Sequence, residues 1–150
     1  VDAVLAAQAF HWFDPPAARA EFARILRPGG LVILIWNDRV RGGDAFHAAY
    51  EAMLRRHCTE YEKVASGWAN ETVITAFFSP RPYRTARYEN SQRLDQPTLI
   101  ERLLSSSYVP KEGAAHAAIM REANRLFGEH AVGGSIEMRY ETKVFFGALA

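Results

Sequence analysis

The sequence predicts an α/β fold built around two parallel strands, and three observations support this prediction. A short apolar run covers residues 1–7, and a segment with apolar residues at three- and four-residue spacing follows it. A second run, residues 31–36, is apolar throughout, which is typical of a strand covered on both faces. Two strands joined by a helix in this order form a right-handed crossover between parallel neighbours.

The ends of the first helix are predicted from its flanking residues. Asp14 precedes Pro15 and Pro16, so its carboxylate can cap free backbone amides while proline occupies the first turn. The RPGG sequence at residues 27–30 ends the helix, because proline disfavours helical geometry in its predecessor and glycine accepts a left-handed turn.

The later elements are predicted from the spacing of apolar residues. Apolar stripes predict helices over residues 44–61 and 113–130, and alternation predicts strands over residues 84–94 and 135–146. Gln96, Pro97 and Thr98 open a further helix that continues through Leu104. Residues 62–83 indicate a partly helical segment. We expect at least one of the two later strands to be antiparallel. We also expect residues 1–150 to form a single domain, since this length supports one core.

Composition narrows the classes of partner. The 18 basic and 17 acidic residues give a formal charge of +1, so we expect no nucleic-acid partner. The longest apolar run is far shorter than a membrane helix, and we expect no membrane partner. A single cysteine, Cys58, favours a reducing cytoplasm. The five histidines lack metal-ligand spacing, so no metal site is predicted.

Parallel strands imply where a ligand would bind. In open parallel sheets ligands bind beyond the carboxyl ends of the strands, so residues 8–13 and 37–43 are expected on one rim. The first of these segments reads QAFHWFD. His11 could take a proton near neutral pH or form a structural hydrogen bond. Trp12 and Phe13 could face a ligand or pack in the core.

The second segment and the missing motifs leave the chemistry open. Asn37, Asp38 and Arg39 could contact an acceptor or could form a turn after the strand. The sequence has neither a glycine-rich first turn nor the acidic residue that would hold a ribose. A fragment of an unrelated α/β hydrolase is a weak alternative, because the nucleophile motif of that class is missing from the sequence.

Several motifs together resemble one family. Five segments are similar to segments of class I methyltransferases that use S-adenosylmethionine. They are AQAFHWFD, LRPGG, WNDR, residues 93–110 and the closing MRYETKVFF. The resemblance is strongest to the methyltransferase type 11 group, which includes trans-aconitate methyltransferase-like proteins. It implies a partial Rossmann-like class I methyltransferase sheet, comprising strands four to seven with flanking helices. We expect the first three strands, with the glycine-rich cofactor loop, to precede residue 1.

The resemblance also implies a function and a set of site residues. It predicts methyl transfer from S-adenosylmethionine to a small-molecule acceptor, with aromatic faces near the sulfonium and His11 as the catalytic base. The cofactor-binding residues it implies are Ala7, Gln8, Ala9, Phe10 and Trp12. The substrate-binding residues it implies are Asn37 and Arg39.

A second interpretation is a non-catalytic dimerisation or binding module derived from a methyltransferase. Such a half-sheet would leave the first strand with an open apolar edge, and open edges pair with other chains. We therefore expect a homodimer.

Overall fold

The computed structural model describes residues 1–62, 65 and 70–149 and has the predicted α/β architecture. The strands are β1 (Ala3–Ala7), β2 (Leu31–Arg39), β3 (Arg84–Leu94) and β4 (Ile136–Gly147). The helices are α1 (Pro15–Ile25), α2 (Ala45–His57), α3 (Glu71–Phe78), α4 (Gln96–Leu104) and α5 (Gly113–His130). Helix α3 lies in the segment predicted as partly helical, of which residues 63–64 and 66–69 lie outside the described residues.

The four strands form one mixed sheet in the order β1-β2-β4-β3. Strands β1 and β2 are parallel, with Ala3 opposite Leu31 and Ala7 opposite Ile35. This pairing confirms the crossover predicted from the first 36 residues. The predicted fold class, a partial Rossmann-like sheet with flanking helices, is confirmed.

Aspartate side chains cap three of the helices. Asp14 accepts a hydrogen bond from the backbone N–H of Ala17 at 2.9 Å, as predicted. Asp44 caps α2 through the N–H of His47, and Asp95 caps α4 in the same way. Each carboxylate satisfies an amide that the first helical turn leaves unpaired, which fixes the point where the chain enters the helix.

Strand β2 is longer than predicted, and residues 37–39 belong to it rather than to a loop. Polar residues on the neighbouring strand provide the physical reason. Thr142 Oγ1 donates to Asn37 Oδ1 at 2.9 Å, and Lys143 Nζ donates to Asp38 Oδ2 at 2.9 Å. Cross-strand pairs of this kind stabilise polar residues in a strand, so the apolar run ends before the strand does.

The chain divides into two compact units, each with its own core. The first unit is Val1–Asp38, Gly67–Glu89 and Glu141–Ala150, and the second is Arg39–Ser66 and Asn90–Tyr140. The buried core of the first unit comprises Ala6, Phe10, Val32, Leu34, Trp36, Ile74, Phe77, Phe78, Phe145 and Leu149. The core of the second unit is built largely from α2, α4, α5 and the start of β4. A single domain over residues 1–150 stays a prediction.

Within the described part of the chain, no helix combines the length and the apolar character needed to cross a bilayer.

Candidate functional site

A 3₁₀ turn, Phe10–Trp12, follows β1 in the first unit and is called the aromatic turn below. Its rings point in different directions. Phe10 is buried, with its ring centroid 4.8 Å from that of Phe77 and 6.3 Å from that of Trp36, both edge-on. Trp12 is 71% exposed. The turn therefore uses one aromatic residue to anchor itself in the core and presents another at the surface.

His11 lies between these two aromatic residues. Its ring centroid is 4.9 Å from that of Trp12, and its Nδ1 atom is buried with no hydrogen-bond partner among the described residues. Burial lowers the pKa of His11, because removing water disfavours the charged imidazolium. The imidazole is therefore neutral at pH 7 and can accept a proton.

A cavity of about 260 Å³ lies beside the aromatic turn. It is lined by Phe10, His11, Phe13, Pro15, Trp36, Asn70, Val73 and Ile74. Most of these side chains are apolar, while His11, Trp36 and Asn70 carry nitrogen atoms. A largely apolar cavity with a few polar groups is the usual composition of a small-molecule site.

Gln8 joins the ends of the two parallel strands. Its backbone N–H donates to the carbonyl oxygen of Ile35 at 2.9 Å, and its side-chain Nε2 donates to that of Asn37 at 3.2 Å. Its φ of +51° turns the chain from β1 toward the aromatic turn. Ala7 is the last residue of β1 and Ala9 precedes the turn. The structure thus brings Gln8 and Asn37 together, as expected for strand ends on one rim.

Arg39 lies in the second unit and is held by a buried acid. One of its guanidinium nitrogens lies 2.6 Å from Glu51 Oε2 and 3.1 Å from the Tyr61 hydroxyl oxygen. The guanidinium also stacks over the ring of Tyr50 at 4.9 Å. These contacts neutralise the charge within the protein. A role for Arg39 in substrate binding stays a prediction.

Glu51 completes this network as an ionised carboxylate. Burial raises its pKa, but hydrogen bonds from Tyr61, Arg39 and Arg55 outweigh that effect and hold the pKa below its usual value. Only 7% of Glu51 is exposed. The network therefore supports the fold of the second unit.

Asp44 and His47 form a carboxylate–imidazole pair in the second unit. His47 Nδ1 lies 2.8 Å from Asp44 Oδ1, and its Nε2 accepts a hydrogen bond from the backbone N–H of Arg139 at 2.9 Å. A base in a catalytic pair needs its second nitrogen available to substrate. Because a backbone amide occupies that nitrogen, the pair links α2 to β4 and has a structural role.

Sequence reasoning missed Trp36, Asn70, Val73 and Ile74 as lining residues of the cavity in the first unit, and it assigned Pro15 only to the start of a helix. The sequence pattern predicts only that Trp36 belongs to a buried strand. The signal that could have identified it is an indole N–H in an otherwise aliphatic strand, since a buried donor needs a partner. The other three belong to the start of α3, which only the tertiary fold brings to the aromatic turn.

Among residues 1–62, 65 and 70–149, no group of three or more His, Cys, Asp or Glu side chains is arranged to hold a metal ion.

Comparison with known proteins gives matches to methyltransferases. A family model described as a methyltransferase domain matches residues 1–34. Uncharacterised methyltransferases of Mycobacterium bovis and Mycobacterium tuberculosis are each 64% identical over 39 residues, which is 26% of this chain and 16% of the relative. A structure of a proposed type II methyltransferase from Anaeromyxobacter dehalogenans aligns with 99% of this chain and 65% of its own, at 21% identity and a TM-score of 0.64.

These matches cover different parts of the chain. The sequence matches are confined to about a quarter of it, and they span less than a fifth of the mycobacterial relatives. The structural match extends over nearly all of the chain and shows the fold. Together they confirm the predicted resemblance to class I methyltransferases.

Proposed function

From the resemblance of this chain to class I methyltransferases, we propose that the protein transfers a methyl group from S-adenosylmethionine to a small-molecule acceptor. The observation that carries the proposal is the aromatic turn, Phe10–Trp12, at the carboxyl end of β1. It borders a cavity, carries a neutral histidine and lies within the residues that the family model matches. Ligands of open parallel sheets bind at this edge.

The residues around the turn suit a sulfonium group. Trp12 presents a largely exposed ring, and aromatic faces attract cations by about 0.5 to 2 kcal/mol, depending on desolvation. His11 is neutral at pH 7 and adds no repulsion. Ala7, Gln8, Ala9 and Phe10 would form the backbone and floor of the cofactor site. When bound, S-adenosylmethionine supplies a methyl group on a positively charged sulfur.

His11 has the chemistry of a base for this reaction. Its unpartnered Nδ1 would take the proton that an acceptor hydroxyl or amine gives up on methylation. Alignment of the acceptor supplies much of the rate in such a displacement. The cavity beside the turn would provide that alignment, and Asn37 would lie at its rim.

Calorimetric titration tests cofactor binding. We expect S-adenosylhomocysteine and S-adenosylmethionine both to bind at micromolar concentrations. Trp12→Ala should weaken the binding of S-adenosylmethionine by up to about tenfold and that of S-adenosylhomocysteine much less, because only S-adenosylmethionine carries a sulfonium charge. Tyr88→Ala, which removes another exposed aromatic ring of the first unit, is the matched control. No heat with either ligand at millimolar concentration would contradict the proposal.

The second candidate function is a non-catalytic dimerisation module, and the edge of the sheet favours it. Strand β1 is at one end of the strand order, and Leu5 within it is 61% exposed. Open apolar strand edges recruit a further strand. We propose that two copies of the chain associate through β1. Sedimentation should show a dimer, and Leu5→Lys should dissociate it; a stable monomer at high micromolar concentration would contradict this proposal.

We also propose a cytoplasmic location, without a nucleic-acid or membrane partner. Cys58 is buried, and burial raises the pKa of its thiol to about 11, so the thiol is protonated and unreactive. The near-balanced charge gives no long-range attraction for polyanions. Microscopy of a tagged protein in its native cell would test the location.

A further inference from the structure

Two residues that line the same cavity each carry a buried ring nitrogen without a hydrogen-bond partner among the described residues. Trp36 is 1% exposed, and its Nε1 atom has no hydrogen-bond partner in the described part of the chain. The same holds for Nδ1 of His11. Both residues line the cavity beside the aromatic turn. Buried polar atoms in folded proteins are nearly always paired, so two orphans around one cavity call for an explanation.

The two nitrogens require complementary partners. The indole N–H of Trp36 can only donate a hydrogen bond. His11 is neutral because burial lowers its pKa, and its unprotonated nitrogen can accept one. A hydroxyl group is both an acceptor and a donor, so it offers each ring the kind of partner that the ring lacks.

The rest of the lining excludes a charged ligand. Phe10, Phe13, Pro15, Val73 and Ile74 are apolar, and none of the described lining residues is an acid, a lysine or an arginine. Asn70 uses its Oδ1 atom to cap α3, accepting from the N–H groups of Thr72 and Val73. An ion would lose its hydration here without a compensating charge. The volume of about 260 Å³ is also below the usual range for drug-sized ligands.

We infer that this cavity binds a small, uncharged, mainly apolar molecule with one hydroxyl group, whose oxygen accepts from Trp36 Nε1–H and whose hydrogen is donated to His11 Nδ1. The inference rests on the proposed function and deepens it, since this hydroxyl would be the acceptor of the methyl group. Trp36 then has the role of a substrate-positioning residue and His11 that of the base.

Nuclear magnetic resonance of the ¹⁵N-labelled chain tests the inference without cofactor. The probes are 4-methylphenol and p-xylene, which differ by a hydroxyl in place of a methyl group. We expect 4-methylphenol to bind about tenfold more tightly and to move the indole proton of Trp36 downfield. Trp36→Phe should abolish the preference for 4-methylphenol. Tyr88→Phe, which removes an exposed hydroxyl elsewhere in the first unit, should preserve it.

Two outcomes would overturn the inference. One is equal affinity for both probes, or no binding of 4-methylphenol up to its solubility limit. The other is binding that moves resonances elsewhere but leaves the Trp36 indole unchanged. If Trp36→Phe fails to fold, the spectra of the unmodified chain still decide. If the proposed function is wrong, calorimetry would instead show no cofactor binding. Failure of the inference and failure of the proposed function are therefore distinguishable.

Discussion

The side-chain amide of Gln8 donates a hydrogen bond to the carbonyl oxygen of Asn37 at 3.2 Å, which ties the end of β1 to the carboxyl-terminal part of β2. Gln8 does this from a left-handed backbone conformation, with a φ of +51°. Side chains with a Cβ atom pay about 1 kcal/mol for that conformation, whereas glycine does not. The position therefore combines a favourable hydrogen bond with a strained backbone.

Paired substitutions separate these two effects at Gln8. Gln8→Ala keeps the strain and loses the hydrogen bond, so we expect the free energy of unfolding to fall by about 0.5 to 1 kcal/mol. Gln8→Gly loses the same bond but relieves the strain, and it should be more stable than Gln8→Ala by about 0.5 to 1 kcal/mol. Urea denaturation measures both values. An alanine variant as stable as the glycine variant would contradict the left-handed turn.

Removing the charge of Glu51 should strongly destabilise the second unit. Glu51→Gln leaves the guanidinium of Arg39 largely buried without its carboxylate, and breaking such a pair costs about 3 kcal/mol. Urea denaturation again provides the measurement. Glu62→Gln is the control, because Glu62 is exposed and pairs with Arg55 at 3.3 Å. We expect the control to change stability by less than about 0.5 kcal/mol, and equal losses in the two variants would refute the prediction.

The stabilising contacts of Glu122 should be lost in acid, so the second unit should become less stable as the pH falls. His57 Nε2 and Arg56 Nη1 lie 2.7 and 2.9 Å from its two carboxylate oxygens. Burial raises the pKa of Glu122, but its bond to His57 and the charges of Arg56, His57 and Arg125 outweigh this and lower the pKa overall. A lowered folded-state pKa contributes stability above the unfolded pKa, and this is lost as the pH falls through the folded value.

Glu122→Gln removes this pH-dependent contribution. Between about pH 6 and about pH 3, the unmodified protein should lose more stability than the variant, because the Glu122 pKa is lowered in the folded state. Thermal denaturation across this range measures the difference. Glu129→Gln, which breaks the exposed pair with Arg125, should follow the unmodified protein. If the stability of Glu122→Gln changed with pH in the same way as that of the unmodified protein, Glu122 would not be the source of the pH dependence.

Substitution of His11 should affect catalysis more than cofactor binding. His11→Leu removes the nitrogen that would take the proton from a hydroxyl acceptor, so the methylation rate should fall about 10²- to 10⁴-fold. The affinity for S-adenosylhomocysteine should change less than threefold, on the order of 0.5 kcal/mol. Steady-state kinetics with a hydroxyl acceptor and calorimetry measure the two effects. A methylation rate of His11→Leu equal to that of the unmodified protein would show that His11 is not the base.

Much of the fold could be predicted because its signals are local. Apolar periodicity located helix α5, and the opening residues Gln96, Pro97 and Thr98 located helix α4, both at their observed bounds. Asp14 with two prolines correctly marked the start of α1. The length of β2 could not be predicted from local pattern. Asn37 and Asp38 are turn formers by composition, but within the sheet side chains from a strand more than 100 residues later bond to Asn37 Oδ1 and Asp38 Oδ2.

The candidate site shows the same division. The sequence identified the aromatic turn, because a cluster of aromatics around His11 does not fit either a strand or a helix face. It did not identify Trp36, whose importance depends on a nitrogen left unpaired after the core has formed. The sequence also assigned Arg39 and Asn37 the same role. In the structure, Arg39 is bound to Glu51 in the second unit.

The sequence by itself determined the order of elements, the parallel crossover and the aromatic turn, since these depend on periodicity, capping and composition within short segments. Only the tertiary structure decided which polar atoms are satisfied and which face a cavity. That outcome depends on partners distant in sequence: Thr142 for Asn37, Glu51 for Arg39, and no described residue for Trp36 Nε1. The pairing of buried polar groups is a property of the completed core, and local patterns do not encode it.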